Sequence, residues 1–116
     1  IGNIAIKCNL DGREIVAVGF ENHGGQTRNV SSPLGNVLSG HGNCFGAKQE
    51  GFYNGQVLGT YMHGPLLPKN PEIADFIIYK ALKAKNPDVA LTDLVPLDDT
   101  LEHKAKEAML HRLQVK

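Results

Sequence analysis

Gly59-Thr60-Tyr61-Met62-His63-Gly64-Pro65-Leu66-Leu67-Pro68-Lys69-Asn70-Pro71 is the stretch whose reading decides the fold. Val57 to Met62 is a short apolar run of the kind that forms a strand, and it ends on a histidine, a Gly-Pro turn and a helix start. That order places His63 at the carboxyl end of a strand. In α/β sheets the crevice at those ends is where ligands and chemistry collect, so an imidazole delivered there is a functional candidate. The competing reading is a histidine that only satisfies a loop.

Working outward, the residues after His63 predict helices. Asn70 is placed to cap a helix that begins at Pro71, where a missing N–H costs nothing, and Glu72 suits the positive helix end. Ile73, Phe76, Ile77, Tyr79, Ala81 and Leu82 give this helix a broad apolar face, and Asn86-Pro87 stops it. A loop through Asp88 to Pro96 leads to a last helix, with Asp99 and Glu102 at capping-box spacing. There Leu101, Ala105, Ala108, Met109 and Leu113 form one stripe expected to pack, while Lys104, Lys106, Glu107 and Arg112 are expected to face water, as are His103 and His111.

The residues before the stretch predict strands and tight loops. Ile4 to Cys8 and Glu14 to Phe20 are two β-rich runs, and Asp11-Gly12 between them supplies the positive φ of a hairpin turn. Phe20-Glu21-Asn22-His23-Gly24-Gly25-Gln26-Thr27 leaves the second run as a polar, glycine-rich loop that lets a ligand or another backbone approach. Val37-Leu38 and Gly51-Phe52-Tyr53 are candidate short strands. Gly40-His41-Gly42-Asn43-Cys44-Phe45-Gly46 has the look of a phosphate-cradling loop, but lacks the Gly-Lys-Ser/Thr ending and is read as a turn.

All 13 glycines lie between Gly2 and Gly64, so strands come first and helices last. This is part of an α/β layer fold from which the sheet-building βαβ units are missing. Residues 1–116 are therefore expected to be a single partial domain whose amino-terminal portion is absent. A half-domain exposes a sheet edge and an apolar face, which favours self-association or association with the missing half.

Twelve basic residues balance twelve acidic ones, which argues against nucleic acid and against an anionic membrane surface. No run reaches the length of a membrane span, and Ile1 to Cys8 lacks a signal-peptide pattern, so membrane insertion is not expected. Cys8 and Cys44 form neither a metal spacing nor a disulfide framework, and a reducing cytoplasm fits this usage. His23, His41 and His63 show no metal-ligand spacing, and no metal is expected.

Gly19-Phe20-Glu21-Asn22-His23-Gly24-Gly25-Gln26-Thr27 and Gly59-Thr60-Tyr61-Met62-His63-Gly64-Pro65-Leu66-Leu67 together resemble two blocks of the cobyric-acid-synthase-like class I glutamine amidotransferases. The first matches the family's Gly-aromatic-Glu-x-His-x-Gly-x-Thr block and the second its Gly-Thr-Tyr-x-His-Gly block. Either block alone is a weak signal; both, in order and about forty residues apart, are a specific one. The continuation to Pro71, with Glu50-Gly51-Phe52-Tyr53-Asn54 ahead of it, looks most like the branch of glutaminases that serve the amidation of the peptidoglycan stem-peptide glutamate to isoglutamine. Amidation in cobalamin (cobyric acid) synthesis is the alternative within the family, and a non-catalytic domain that docks onto a synthetase is the alternative outside enzymology.

The resemblance implies the carboxyl-terminal portion of a glutamine amidotransferase domain and no cofactor. It implies a cysteine thiolate that attacks the glutamine amide and a histidine that carries the proton to ammonia. His63 matches that histidine. The family's cysteine sits on a strained strand-to-helix turn, and no such turn is legible here. Cys8 falls in a predicted strand as a small apolar residue, and Cys44 lacks the flanking pattern, so no nucleophile is expected in this chain. Pro65 stands where many class I amidotransferases carry a glutamate that orients the histidine. A backbone carbonyl, or a carboxylate from a docked Mur-ligase-like synthetase subunit that receives the ammonia, would have to replace it. Glu21 and His23 are candidates either for the substrate site or for bonding the loop backbone.

Overall fold

The computed structural model describes residues 1–115. Strands β1 (Gly2–Leu10) and β2 (Arg13–Glu21) pair antiparallel along their whole length, from Gly2 opposite Glu21 to Leu10 opposite Arg13. Asp11 and Gly12 take φ of 53° and 88°, so both loop residues adopt the left-handed conformation that a two-residue hairpin requires. The Gly12 N–H also donates to Asn9 Oδ1 at 2.9 Å. The predicted hairpin is present with the predicted turn.

Strand β3 (Gly35–Ser39) pairs with the other edge of β1, and β4 (Gln49–Glu50) pairs with β3. A separate two-stranded ribbon joins β5 (Phe52–Tyr53) to β6 (Leu58–Gly59), and β7 (Met62–His63) pairs with the end of β2. The larger sheet runs β4-β3-β1-β2-β7, antiparallel at every pairing. The apolar run at Val57 to Met62 is thus not one strand. It contributes to two sheets and breaks at Thr60 and Tyr61, whose hydrogen bonds go to the buried carboxylate of Glu50.

Alternation along the hairpin decides where the core lies. Ile4, Ile6, Cys8 and Leu10 share one face of β1 and pack with Ala17, Leu34 and Met62. Ile73 and Phe76 of α2 (Pro71–Lys85) close this cluster, with Tyr53 edge-on to Phe76 at 6.1 Å. Helix α2 starts and stops where Pro71 and Asn86-Pro87 place it, but part of its predicted apolar face, at Ile77, Ala81 and Leu82, is exposed. At the hairpin tip Asp11 accepts from Lys80 at 3.0 Å and from Tyr53. The Lys80 hydrogen bond holds the Asp11 carboxyl below the usual carboxylate range.

A one-turn helix, α1 (Leu66–Lys69), precedes α2 and was not legible in a segment containing Pro65 and Pro68. Asn70 follows it and does not cap α2 with its side chain. Fully buried, it pairs instead with the edge of β2. Its Oδ1 accepts from Val18 N–H, and its Nδ2 donates to the carbonyls of Val18 and Leu66, each at 2.8 Å. The side-chain amide thereby acts as one more rung of the sheet beyond β7.

The last helix, α3 (Thr100–Arg112), packs near β2 and α1 with only part of its predicted stripe, Met109 and Leu113, half-buried. Leu101, Ala105 and Ala108 are exposed, whereas Lys106 is 8% exposed and donates to Glu72 Oε2 at 2.9 Å. His103 stands 3.4 Å from the other oxygen of the same carboxylate. Glu72 of α2 thus ties to α3 through Lys106 and His103. The helix starts after Asp99 as expected, but the Asp99 side chain makes no capping bond; Asp98 accepts from the backbone and hydroxyl of Thr100, and these bonds lower its carboxyl from the ordinary value. Between α2 and α3, Leu91–Asp93 forms a short 3-10 turn.

Candidate active site

Strand β7 delivers His63. Its two residues lie opposite Phe20 and Glu21, and directly opposed residues share a face. Met62 points into the core, so His63 faces the other side of the sheet, where it is exposed. Among the described residues nothing hydrogen-bonds its imidazole, and no backbone carbonyl orients the ring.

Glu21 closes β2 and is 2% exposed. Its Oε2 accepts from the N–H of His41 at 2.7 Å, and its Oε1 accepts from the N–H of Gly42 at 3.1 Å. The loop that resembles a phosphate cradle does bind an anion, and the anion is the chain's own carboxylate. Two glycines of that loop are required by close approaches. Gly40 has φ of 112°, and a Cβ there would lie 2.6 Å from Glu21 Oε2; Gly42 has φ of 86°, and its Cβ would strike the Gln49 carbonyl.

His23 sits against the same carboxylate. Its Nε2 is 3.3 Å from Glu21 Oε1 and its Nδ1 is 2.7 Å from the Gly25 carbonyl. Both ring nitrogens thus face oxygen atoms of the chain. The ring stacks on Tyr61 at 4.1 Å, and the Tyr61 hydroxyl lies 2.7 Å from Thr27 Oγ1. Glu21, His23 and Thr27 come from one motif block and Tyr61 from the other. The two blocks are thus locked into a single unit beside β7.

This arrangement favours the loop-bonding role for Glu21. Glu21, His23 and His41 line a pocket of about 140 Å³ together with Gly24, Gln26 and Gly42. His63 lines no part of that pocket, and no hydrogen bond or stack joins it to Glu21 or His23 among the described residues. No group of three or more metal-binding side chains is present among them either.

Neither cysteine has the setting of a nucleophile. Cys8 is fully buried in the β1 core face, and burial pushes its thiol up to about 12. Cys44 is partly exposed in a turn closed by the Ala47 N–H donating to the Cys44 carbonyl, without a strand before it or a helix after it. Two buried polar positions take partners that no local pattern showed. Glu50, fully buried, holds Thr60 and Tyr61, and Asn70 holds Val18. In the sequence Asn70 reads as a helix cap and Glu50 only as part of the stretch from Glu50 to Asn54, because the partners of both lie far along the chain.

No helix among the described residues is long and apolar enough to cross a membrane. Comparison with known proteins adds the following. Residues 1–71 match the model of the CobB/CobQ-like glutamine amidotransferase domain. The chain is 40% identical over 111 residues to Lipid II isoglutaminyl synthase (glutamine-hydrolyzing) subunit GatD of Staphylococcus aureus (strain N315), which covers 96% of this chain and 43% of that protein. It is 42% identical over 82 residues to the subunit of the same name from Streptococcus pneumoniae (strain ATCC BAA-255 / R6), covering 69% of this chain and 32% of the relative. The chain spans less than half the length of these curated relatives.

Proposed function

Because the chain belongs to the CobB/CobQ-like glutamine amidotransferase family, we propose that it is the histidine-bearing carboxyl-terminal portion of a glutaminase. That glutaminase supplies ammonia to a synthetase subunit that amidates the stem-peptide glutamate of lipid II. The observation that carries this reading is the exposed imidazole of His63 on an edge strand held by both family motif blocks. The names of the two relatives favour the cell-wall acceptor over cobyric acid. So does the segment from Leu66 to Pro71, which forms α1 and returns Asn70 to β2.

The chemistry follows from what is present and what is not. A thiolate attacks the side-chain amide carbon of glutamine, and His63 gives a proton to the departing nitrogen, so that ammonia leaves and a glutamyl thioester remains. The same imidazole then takes a proton from water as the thioester is hydrolysed. With Cys8 buried and Cys44 in an open turn, the thiolate comes from a part of the protein outside these 116 residues. The free imidazole nitrogens of His63 favour an orienting carboxylate from the docked synthetase over a backbone carbonyl. Glutamine hydrolysis is then gated by assembly.

Ammonia release by the full-length protein tests this. His63→Ala lowers turnover by about 10²- to 10⁴-fold while leaving the melting temperature unchanged, because the side chain is exposed. The isolated 116 residues release none. Turnover by the isolated chain that Cys44→Ala abolishes would overturn the assignment, and equal rates with and without the synthetase would remove the gating.

A further inference from the structure

The fold leaves one buried charge without an evident purpose. Glu50 ends β4, is fully buried, and no cation pairs with it among the described residues. An ionised carboxylate in such a place is costly unless hydrogen bonds stabilise it. Its bonds all go to one segment. Oε2 accepts from the Thr60 hydroxyl at 2.5 Å, and Oε1 accepts from Tyr61 N–H at 2.9 Å. Thr60 Oγ1 in turn accepts from Met62 N–H at 2.9 Å. The chain of bonds therefore runs from β4 to the residue immediately before His63.

We infer that Glu50, acting through Thr60, is a positioning residue for His63, setting the register of β7; this rests on the glutaminase reading above. Strand β7 has two residues and one paired neighbour, so its ladder alone specifies register weakly. A slip of one residue would exchange the two side chains, turning His63 into the core and Met62 out of it. The Glu50 carboxylate prevents this by its direction of bonding. Because it only accepts, the Thr60 hydroxyl must donate to it, which leaves the hydroxyl oxygen free to accept from Met62 N–H. A glutamine at position 50 that turns its amide nitrogen to Thr60 breaks the sequence of donors and acceptors, since the hydroxyl hydrogen is left without its partner.

The test uses the full-length protein with its synthetase, and three variants: Thr60→Ser, Thr60→Val and Glu50→Gln. Glutamine kcat and KM are measured per folded molecule. The His63 imidazole resonances are followed in histidine-labelled protein and assigned by their loss in His63→Asn. Thr60→Ser keeps the hydroxyl and stays within about twofold of wild type in kcat. Thr60→Val and Glu50→Gln lower kcat by about 10- to 100-fold with KM changed less than about threefold, and the His63 resonances shift or split.

Folded Thr60→Val and Glu50→Gln proteins with unchanged kcat and unchanged His63 resonances would overturn the inference. So would a loss in Thr60→Ser as large as that in Thr60→Val, since the methyl group and not the hydroxyl would then matter. If Thr60→Val does not fold, Glu50→Gln decides; if neither folds, these residues hold up the fold and not the histidine, and the inference fails. Wild-type protein that turns over no glutamine would defeat the glutaminase reading, while the resonances still decide whether Glu50 positions His63.

Discussion

Between Gly2 and Gly64 the chain buries two carboxylates, and backbone N–H groups meet both: His41 and Gly42 at Glu21, Tyr61 at Glu50. From Pro65 onward it buries an amide and an ammonium, each met from another element: β2 at Asn70 and Glu72 at Lys106. In the first region Gly40 lets the backbone close around Glu21, and Glu50 bonds the segment that leads into a short edge strand. In the second region polar side chains join helices to the sheet, and large apolar side chains stay exposed in both regions, Phe45 and Val57 in the first and Leu97 and Leu101 in the second. The difference separates the part that carries His63 from the part that packs helices against the sheet.

The strongest way to break that contrast is at Asn70. Asn70→Ala leaves Val18 N–H and the carbonyls of Val18 and Leu66 without partners and is expected to cost about 4 kcal/mol in urea denaturation. A cost below about 1 kcal/mol would mean that the helical half docks by apolar contact instead. Lys106→Ala comes next. Its ion pair is part-buried, between the weak exposed kind and the strong buried kind, so the loss is on the order of 2 kcal/mol.

Cys8 offers a smaller effect with a definite sign. Its thiol is raised from about 9 to about 12 in the folded protein, so above pH 9 the unfolded chain loses a proton that the folded chain keeps. Unfolding then releases protons, and stability falls as pH rises through that window, by at most about 1.4 kcal/mol per pH unit. Cys8→Ala removes this part of the slope in denaturation curves at pH 8, 9 and 10. The smallest effect is expected at Leu101. Leu101→Ser changes stability by no more than about 0.5 kcal/mol, whereas a packed leucine would cost several times that.

Much of the first region was legible. Asp11-Gly12 specified the hairpin, and the apolar run ending at His63 placed the histidine on a strand end. The loop from Gly40 reads as a turn, and nothing local showed that its backbone N–H groups bond Glu21. The second region was legible in its helix boundaries and not in its faces. The stripe of Leu101, Ala105 and Ala108 reads as a packing surface by periodicity. In the fold Lys106 is buried instead, bonded to Glu72, 34 positions away.

By itself, then, the sequence determined what short-range physics decides: turns from positive-φ residues, helix ends from proline and asparagine, and a histidine carried on a strand. Tertiary structure decided the split of the Val57 to Met62 run into two sheets, the use of Asn70 as a rung of β2, and the support of His63 by Glu50. Each of these depends on a buried polar group finding a partner distant in the chain. Such a partner must exist because an unpaired group costs more than a misplaced apolar one, yet which residue provides it appears only once the chain is folded.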